Sequence, residues 1–209
     1  MNAKKVSRTV EWSRRGEKQL KLILQEVQKS AALLRLGGLK SGSAPPGKNR
    51  SLQVELSLLG NAKMAELNET YRGKPVPTDV LSFPSPPIFR QQGLLGELLI
   101  CLPVLRRQAK DRKHPEATEL QVLLVHGVLH LLELDHERGD AEAAEMAKWE
   151  THLLKKLGVK IGPRTVSGLI ERTADPSAGN EEPRGQGPLK RGATQLRKNP
   201  SKRWTVESP

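Results

Sequence analysis

Hydrophobic positions along the first 160 residues follow two kinds of spacing, and each predicts a different element. Spacings of three and four residues place side chains on one face of a helix, whereas alternation places them on one face of a strand. Helical spacing predicts helices over residues 17–36, 61–72, 103–112, 118–132 and 141–157. Alternating or continuous apolar runs predict strands over residues 52–58, 78–83 and 94–102. The last of these strands is apolar enough to be central in a sheet.

The connecting segments predict an edge strand, a loop and several helix caps. Val6, Val10 and Trp12 alternate within residues 1–15, which indicates an edge strand. Residues 37–50 are rich in Gly, Ser, Pro and Lys, a composition typical of a flexible loop. Three residues are of a type and position suited to capping the helices that follow, namely Asn61, Thr118 and Asp140. The elements predict an α/β (α+β) fold, with about five helices packed on a small mixed sheet.

The amino-acid composition indicates that only part of the chain folds. Hydrophobic residues make up 36% of the 209 residues and the mean hydropathy is −0.53, which is low for a chain that is compact throughout. Apolar periodicity stops after Lys160, and residues 175–209 are rich in Pro, Gly, Lys and Arg. We therefore expect one domain over residues 1–160 and a basic, disordered tail over residues 161–209.

The charge of the chain favours a polyanionic partner. There are 35 Lys and Arg against 23 Asp and Glu, which gives a net charge of +12. Nucleic acid is the first candidate partner and an anionic membrane surface the second. A soluble protein with an idle basic tail remains the alternative.

Other sequence features bear on the compartment. No apolar run approaches the roughly 18 residues of a membrane span. The single cysteine, Cys101, lies in an apolar run, which predicts a buried thiol and suits a reducing compartment. We expect a cytoplasmic protein with no membrane partner.

Histidines supply the main candidate chemistry. Three of the five lie within eleven residues, and His126 and His130 are four apart on a predicted helix, so both rings project from one face. His136 follows beyond the predicted helix end, where a reversal of the chain would bring it to the same metal ion. Three histidine ligands leave the fourth position of a zinc ion open, and water bound there loses its proton near neutral pH to become a nucleophile.

The spacing of these histidines resembles that of metzincin proteases, with one difference. Those enzymes carry a glutamate directly after the first histidine as the general base, and here that position is Gly127. Glu133, Asp135 and Glu137 are nearby carboxylates, but none has the expected spacing. Peptide hydrolysis by the usual route is therefore disfavoured.

Three sequence blocks occur in the order and spacing of one known family. The blocks are residues 67–84, residues 95–101 and residues 126–136. Together they are similar to the YbeY family of bacterial endoribonucleases and rRNA maturation factors, over about residues 50–158. The C-terminal tail has no counterpart in this resemblance.

The resemblance implies a function and a set of site residues. It implies zinc held by His126, His130 and His136, and single-strand-specific endoribonuclease activity in small-subunit rRNA 3′-end maturation and ribosome quality control. Its partners would be ribosomal RNA and small-subunit proteins or an assembly GTPase. The family's functional arginine corresponds to Arg72, whose planar, permanently charged fork is suited to holding a phosphate and stabilising charge on it.

The chain departs from the family pattern at two positions. Glu133 stands where the family usually has glycine, and a glutamate with positive φ there would cost on the order of 1 kcal/mol. Glu97 stands where the family usually has aspartate. Three polar residues of the family-like strand, Thr78, Asp79 and Ser82, order the cleft floor, orient a ligand histidine or pair within the sheet.

Three functions remain open at this point. The first is a zinc endoribonuclease acting on rRNA, and the second is a ribosome-assembly protein with a structural metal. The third, a zinc metalloprotease, is disfavoured by Gly127 and by the basic charge. A fourth protein ligand closing the metal site would favour the structural interpretation.

Overall fold

The computed structural model describes residues 3–39, 51–136, 139–160 and 162. Within these ranges seven helices surround a three-stranded sheet, which confirms the predicted α+β class. The helices are α1 (Ala3–Lys29), α2 (Ala31–Leu36), α3 (Asn61–Arg72), α4 (Pro87–Arg90), α5 (Leu102–Arg112), α6 (Glu116–Leu131) and α7 (Asp140–Lys156). The strands are β1 (Gln53–Leu59), β2 (Val80–Pro84) and β3 (Leu94–Cys101). Nearly all of the predicted loop and tail lies outside these ranges.

The sheet has the strand order β1-β3-β2, so β3 is central as its apolar sequence predicts. β1 pairs with β3 in parallel and β2 pairs with β3 antiparallel, which makes the sheet mixed. Leu98 of β3 lies between Leu56 of β1 and Ser82 of β2 in this register. Both β1 and β2 are edge strands among the described residues.

Alternate residues of β3 enter two different hydrophobic clusters, one on each face of the sheet. Leu98 and Ile100 belong to the larger cluster, which is formed with α1, α6 and α7. Leu99 and Cys101 belong to the smaller one, formed with Met64 of α3. The predicted burial of the Cys101 thiol is confirmed, and burial raises the pKa of that thiol. α6 therefore lies in the core, with ten of its sixteen residues buried.

The predicted edge strand at residues 1–15 is wrong, because residues 3–15, the described part of this segment, are the start of α1. Trp12, Gly16 and Leu20 continue the helical spacing of residues 17–36 towards the N-terminus, and all three face the core. At Gly16 the helix lies against β1, since a Cβ there would be 2.6 Å from Leu56 Cδ2. Val10 and Trp12 are two residues apart and therefore lie on different faces of the helix, so Trp12 packs against the core while Val10 is 45% exposed.

The predicted helices are present, but several of them begin at other residues than predicted. The N-cap positions of α3, α6 and α7 are Gly60, Pro115 and Gly139, and none makes a side-chain cap hydrogen bond. The predicted caps Asn61, Thr118 and Asp140 instead lie inside these helices. The sequence also did not predict the short helix α4, which lies within the proline-rich segment after β2. No helix among the described residues is long and apolar enough to cross a membrane.

Candidate metal centre

Helix α6 presents His126 and His130 side by side near its C-terminal end. Their ring centroids are 4.5 Å apart and their Nε2 atoms are 3.1 Å apart. Two nitrogens bound at about 2.0–2.1 Å to one tetrahedral zinc ion would lie about 3.3 Å apart. The spacing of four residues therefore produces a ligand pair of nearly the required separation.

The turn after α6 brings His136 to the same place. Glu133 adopts a left-handed conformation with a φ of 67°, and the backbone N–H of Leu134 donates to Leu129 O at 3.1 Å. The His136 ring centroid then lies 5.3 Å from that of His126 and 5.2 Å from that of His130. One ligand nitrogen from each of the three rings lies within 4.8 Å of the others. The structure thus brings the three predicted ligands together.

A buried arginine holds this turn in place. Arg90, at the end of α4, donates through Nη1 to Glu133 Oε1 and through Nη2 to Gly37 O at 2.8 Å and Leu131 O at 3.1 Å. Its side chain is only 10% exposed. Glu133 therefore follows the backbone path that a glycine would take, with its side chain paired to Arg90. The sequence did not predict the role of Arg90, because the residue lies in the proline-rich segment.

A second carboxylate, that of Glu150, orients the ring of His126. Glu150 of α7 is 2% exposed, and its Oε1 accepts a hydrogen bond of 2.6 Å from His126 Nδ1. Donation from Nδ1 leaves the Nε2 lone pair of His126 directed at the centre of the triad. The sequence signal was a glutamate on the apolar face of α7, four residues after Met146 and three before Leu153.

The protonation state of His130 and the lone pairs of the triad favour metal binding. Burial, followed by the charges of His126 and His136, lowers the pKa of His130 to about 3, so its ring is neutral at pH 7. His136 Nδ1 is buried and has no hydrogen-bond partner in the described part of the chain. Neutral imidazoles with available lone pairs are the donors that zinc and related divalent metals prefer. The residues present therefore fit a metal of this class.

Three side chains of the described residues could bind the metal ion together. No fourth His, Cys, Asp or Glu joins it within residues 51–136 and 139–160, and Glu137 lies outside them. Asp135 is half-buried, and its charge partly opposes the lowering of the pKa of His130. A set of three histidines is typical of catalytic rather than structural zinc sites.

The charge of Arg72 acts on this centre. Arg72 is the last residue of α3, and Gly73, with a φ of 68°, ends the helix immediately after it. The side chain is exposed, and its positive charge contributes to the lowered pKa of His130. The guanidinium is therefore within electrostatic range of the histidines and free to contact a ligand.

Gly127 faces the sheet rather than the histidine cluster. A Cβ at this position would lie 2.7 Å from Leu98 Cδ2 and 3.4 Å from Ser82 Oγ. A glutamate side chain has no room there, so the position of the protease general base is closed. Ser82 correspondingly packs against α6 between the two ligand positions.

The other polar residues of the family-like blocks serve the sheet. Asp79 accepts hydrogen bonds from Gln108 Nε2 at 2.9 Å, from the Val80 backbone at 2.8 Å and from Thr78 Oγ1 at 3.2 Å. These bonds order the start of β2. Glu97 accepts a hydrogen bond from the Ser57 hydroxyl at 3.2 Å. Thr78, Asp79 and Glu97 thus pair within the fold.

Removing the carboxylate behind His126 is expected to weaken metal binding. Glu150→Ala should raise the dissociation constant for zinc by about 10- to 100-fold, because the imidazole loses the acceptor that fixes its orientation. Glu150→Gln, which keeps an acceptor oxygen without the charge, should lose less. Competition with a chromogenic chelator measures both. Glu145→Ala, on the exposed side of the same helix, is the control, and wild-type affinity in folded Glu150→Ala would contradict the role.

Known proteins resemble this chain over the region that holds the site. The family profile described as Endoribonuclease YbeY matches residues 16–158. A protein named Endoribonuclease YbeY from Synechococcus sp. (strain CC9311) is 47% identical over 109 residues, which is 50% of this chain and 61% of that protein. The protein of the same name from Moorella thermoacetica is 40% identical over 131 residues, covering 58% and 83%. A solution structure from Thermotoga maritima is 20% identical, covers 76% of this chain and 92% of that one, and gives a TM-score of 0.38.

Proposed function

This chain belongs to the YbeY endoribonuclease family, and we propose that it is a zinc-dependent endoribonuclease that cuts single-stranded RNA. The observation that carries the proposal is the convergence of three half-buried imidazoles within electrostatic range of an exposed guanidinium. A metal ion and a phosphate-binding cation together promote the hydrolysis of a phosphodiester, by activating water and by stabilising charge on the phosphate.

Each residue of the centre has a distinct role in this proposal. His126, His130 and His136 hold the metal, and Glu150 fixes the orientation of His126. A zinc ion, when bound, supplies a Lewis acid and a nucleophile at neutral pH. Arg72 binds the scissile phosphate and stabilises the negative charge that develops on its oxygens. The closed position at Gly127 argues against a metalloprotease, which needs a base there.

The substrate and cellular role are part of the proposal. A net charge of +12 suits a polyanionic substrate, and binding should weaken steeply with salt. Resemblance to the family supports ribosomal RNA as the substrate, with roles in small-subunit rRNA 3′-end maturation and ribosome quality control in the cytoplasm. Small-subunit proteins or an assembly GTPase are the proposed protein partners.

Arg72→Ala tests the catalytic part of the proposal. We expect cleavage of a labelled single-stranded rRNA fragment to slow by about 100-fold or more, because one charged group at the developing oxyanion is lost. Metal content should stay at the wild-type value, since Arg72 is not a ligand. Arg72→Lys should recover part of the rate at most, because it lacks the planar fork.

The control is Arg14→Ala, which removes an exposed arginine from α1. Cleavage by Arg72→Ala at the wild-type rate would contradict the role of this residue. Wild-type protein that binds zinc and RNA but never cuts would instead favour a ribosome-assembly protein with a structural metal.

A further inference from the structure

Helix α5 and the residue that ends it carry a row of exposed cations, which we call the basic face of α5. The row consists of Arg106, Arg107, Lys110 and Lys113. At about 3.6 residues per turn, these positions fall within about 120° of the helix circumference. Val104, Leu105 and Ala109 are buried on the other side of the helix. Asp111, the only acidic residue of α5, lies beside the basic face rather than within it.

The cations of the basic face mostly lack acidic partners. Helices α1 and α3 each pair an exposed lysine with a glutamate three residues away, at 2.7 Å. On the basic face only Arg106 has an ion pair among the described residues, with Glu116 at 3.4 Å. Arg107, Lys110 and Lys113 make none with any residue that the structure describes. Their charges are therefore available to a ligand.

The stability of the helix does not account for these charges. A helix dipole favours cations in the last turn, but Arg106 and Arg107 lie before that turn. Arg106 and Lys110 are four residues apart, and like charges at that spacing destabilise a helix. Lys113 has a φ of 57°, a conformation that glycine or asparagine adopts at lower cost. A polyanionic ligand accounts for all four positions.

Two hydrogen bonds to a buried carboxylate fix the C-terminal end of α5 to α6. Glu119 of α6 is 0% exposed, and it accepts from Arg112 Nη1 and from His114 Nε2. Glu119 precedes His126 by seven residues, or about 10 Å along the helix axis. The end of α5 is therefore held about two helical turns from the candidate metal centre.

The chemistry of the basic face fits a phosphate backbone better than a membrane. A helix that binds at a lipid surface needs exposed apolar side chains beside its cations. The structure describes all of α5, and no large hydrophobic residue of this helix is exposed. The helix also has no aromatic residue on which a base could stack. Arginine and lysine side chains bind phosphates through their charge, with release of counterions.

We propose that the basic face of α5 binds the phosphate backbone of RNA outside the metal centre. The inference rests on the proposed function, because it gives the same RNA substrate a second contact surface. Phosphate contacts carry no sequence information, so this surface raises the affinity for any strand. It should lower KM for RNA without changing the chemical step.

Binding of the full-length protein to a fluorescent single-stranded DNA, which carries the same charged backbone, tests the basic face. Arg107→Gln, Lys110→Gln and Lys113→Asn, combined in one variant, should weaken binding by at least about tenfold at about 0.15 M salt. A plot of the logarithm of affinity against the logarithm of salt concentration should become shallower by about 2, since each lost contact contributes about 0.7. Each single substitution should change the slope by about 0.7.

A second triple variant is the matched control. Lys18→Gln, Lys21→Gln and Lys155→Gln remove the same net charge from exposed positions of α1 and α7. Charges beyond about 8 Å are screened at this salt concentration, so the control should bind within about twofold of wild type. Melting curves establish that both variants are folded, and the single substitutions provide the test if the α5 triple variant is not. In RNA cleavage the α5 variant should raise KM and leave kcat unchanged.

Three results would overturn the proposal. The first is wild-type affinity in the α5 variant, and the second is an equal loss of affinity in the two triple variants. The third is α5-dependent binding to phosphatidylserine vesicles without binding to nucleic acid, which would assign the face to a membrane surface.

The outcomes for the basic face and for the proposed function differ. Wild-type protein that cuts RNA while the α5 variant keeps its Kd and KM removes the basic face alone. Wild-type protein whose DNA binding depends on α5 but which never cuts RNA removes the nuclease function and keeps the phosphate-binding face.

Discussion

Alanine at His130 is expected to abolish zinc binding and to reduce RNA cleavage by at least about a thousandfold. The substitution removes one of three ligands, so the protein no longer holds the metal. A bound metal acts as a Lewis acid that contributes several kcal/mol of transition-state stabilisation, and this contribution is lost. Because about 1.4 kcal/mol of transition-state stabilisation corresponds to a factor of ten in rate, losing several kcal/mol slows cleavage by about a thousandfold. Metal analysis of the purified protein and single-turnover cleavage of a labelled rRNA fragment measure the two losses separately.

His152→Ala is the matched control for this substitution. His152 is an exposed histidine of α7, and its ring contacts Trp149 with centroids 5.6 Å apart. Its removal should leave metal content and cleavage unchanged. His130→Ala protein that is free of metal yet cuts like wild type would show that the activity comes from elsewhere, including a contaminating nuclease. The same result in Arg72→Ala would remove the nuclease assignment altogether.

Replacing Arg90 with methionine is expected to lower the free energy of unfolding by about 3 kcal/mol. The change leaves the carbonyls of Gly37 and Leu131 without their donor, and each unsatisfied buried group costs about 1–3 kcal/mol. The Glu133 carboxylate adds little, because it is 55% exposed and water can solvate it. For a domain of this size the Tm should fall by roughly 10 °C. Zinc affinity should fall as well, since the turn before His136 loses its anchor.

Two variants make this prediction specific. Arg106→Met removes an exposed arginine whose ion pair with Glu116 is about half-exposed on both sides, and it should change stability by no more than about 0.5 kcal/mol. Arg90→Met combined with Glu133→Gly should recover part of the loss, because glycine adopts the positive φ without strain. Equal stability of Arg90→Met and wild type would mean that the turn is held by other contacts.

Local sequence patterns predicted most of the elements between residues 51 and 160. Except for α4, the strands and helices there alternate short apolar runs with clear breaks, and each lies within a few residues of its predicted bounds. The N-terminal segment was mispredicted because its few apolar residues fit both periods. Only packing against β1, at Gly16 and Leu56, decides between them.

The difference between local sequence patterns and contacts between elements also explains which site residues the sequence predicted. His126 and His130 are four apart on one helix and His136 follows a single turn, so spacing alone places them together. The supporting residues are distant in sequence, with Glu150 24 positions from His126 and Arg90 43 positions from Glu133. Hydrophobic periodicity describes one element at a time, so it does not predict contacts between elements that are distant in sequence.

The pair formed by Arg90 and Glu133 also determines which substitutions the turn can accept. Without Arg90, the glutamate would be strained at positive φ and would lose its ion-pair partner. Without Glu133, Arg90 keeps its bonds to the carbonyls of Gly37 and Leu131. Glycine should therefore be tolerated at position 133 while Arg90 is present, whereas loss of Arg90 is costly whatever residue stands at position 133. The two positions thus differ in sequence tolerance although they form one ion pair.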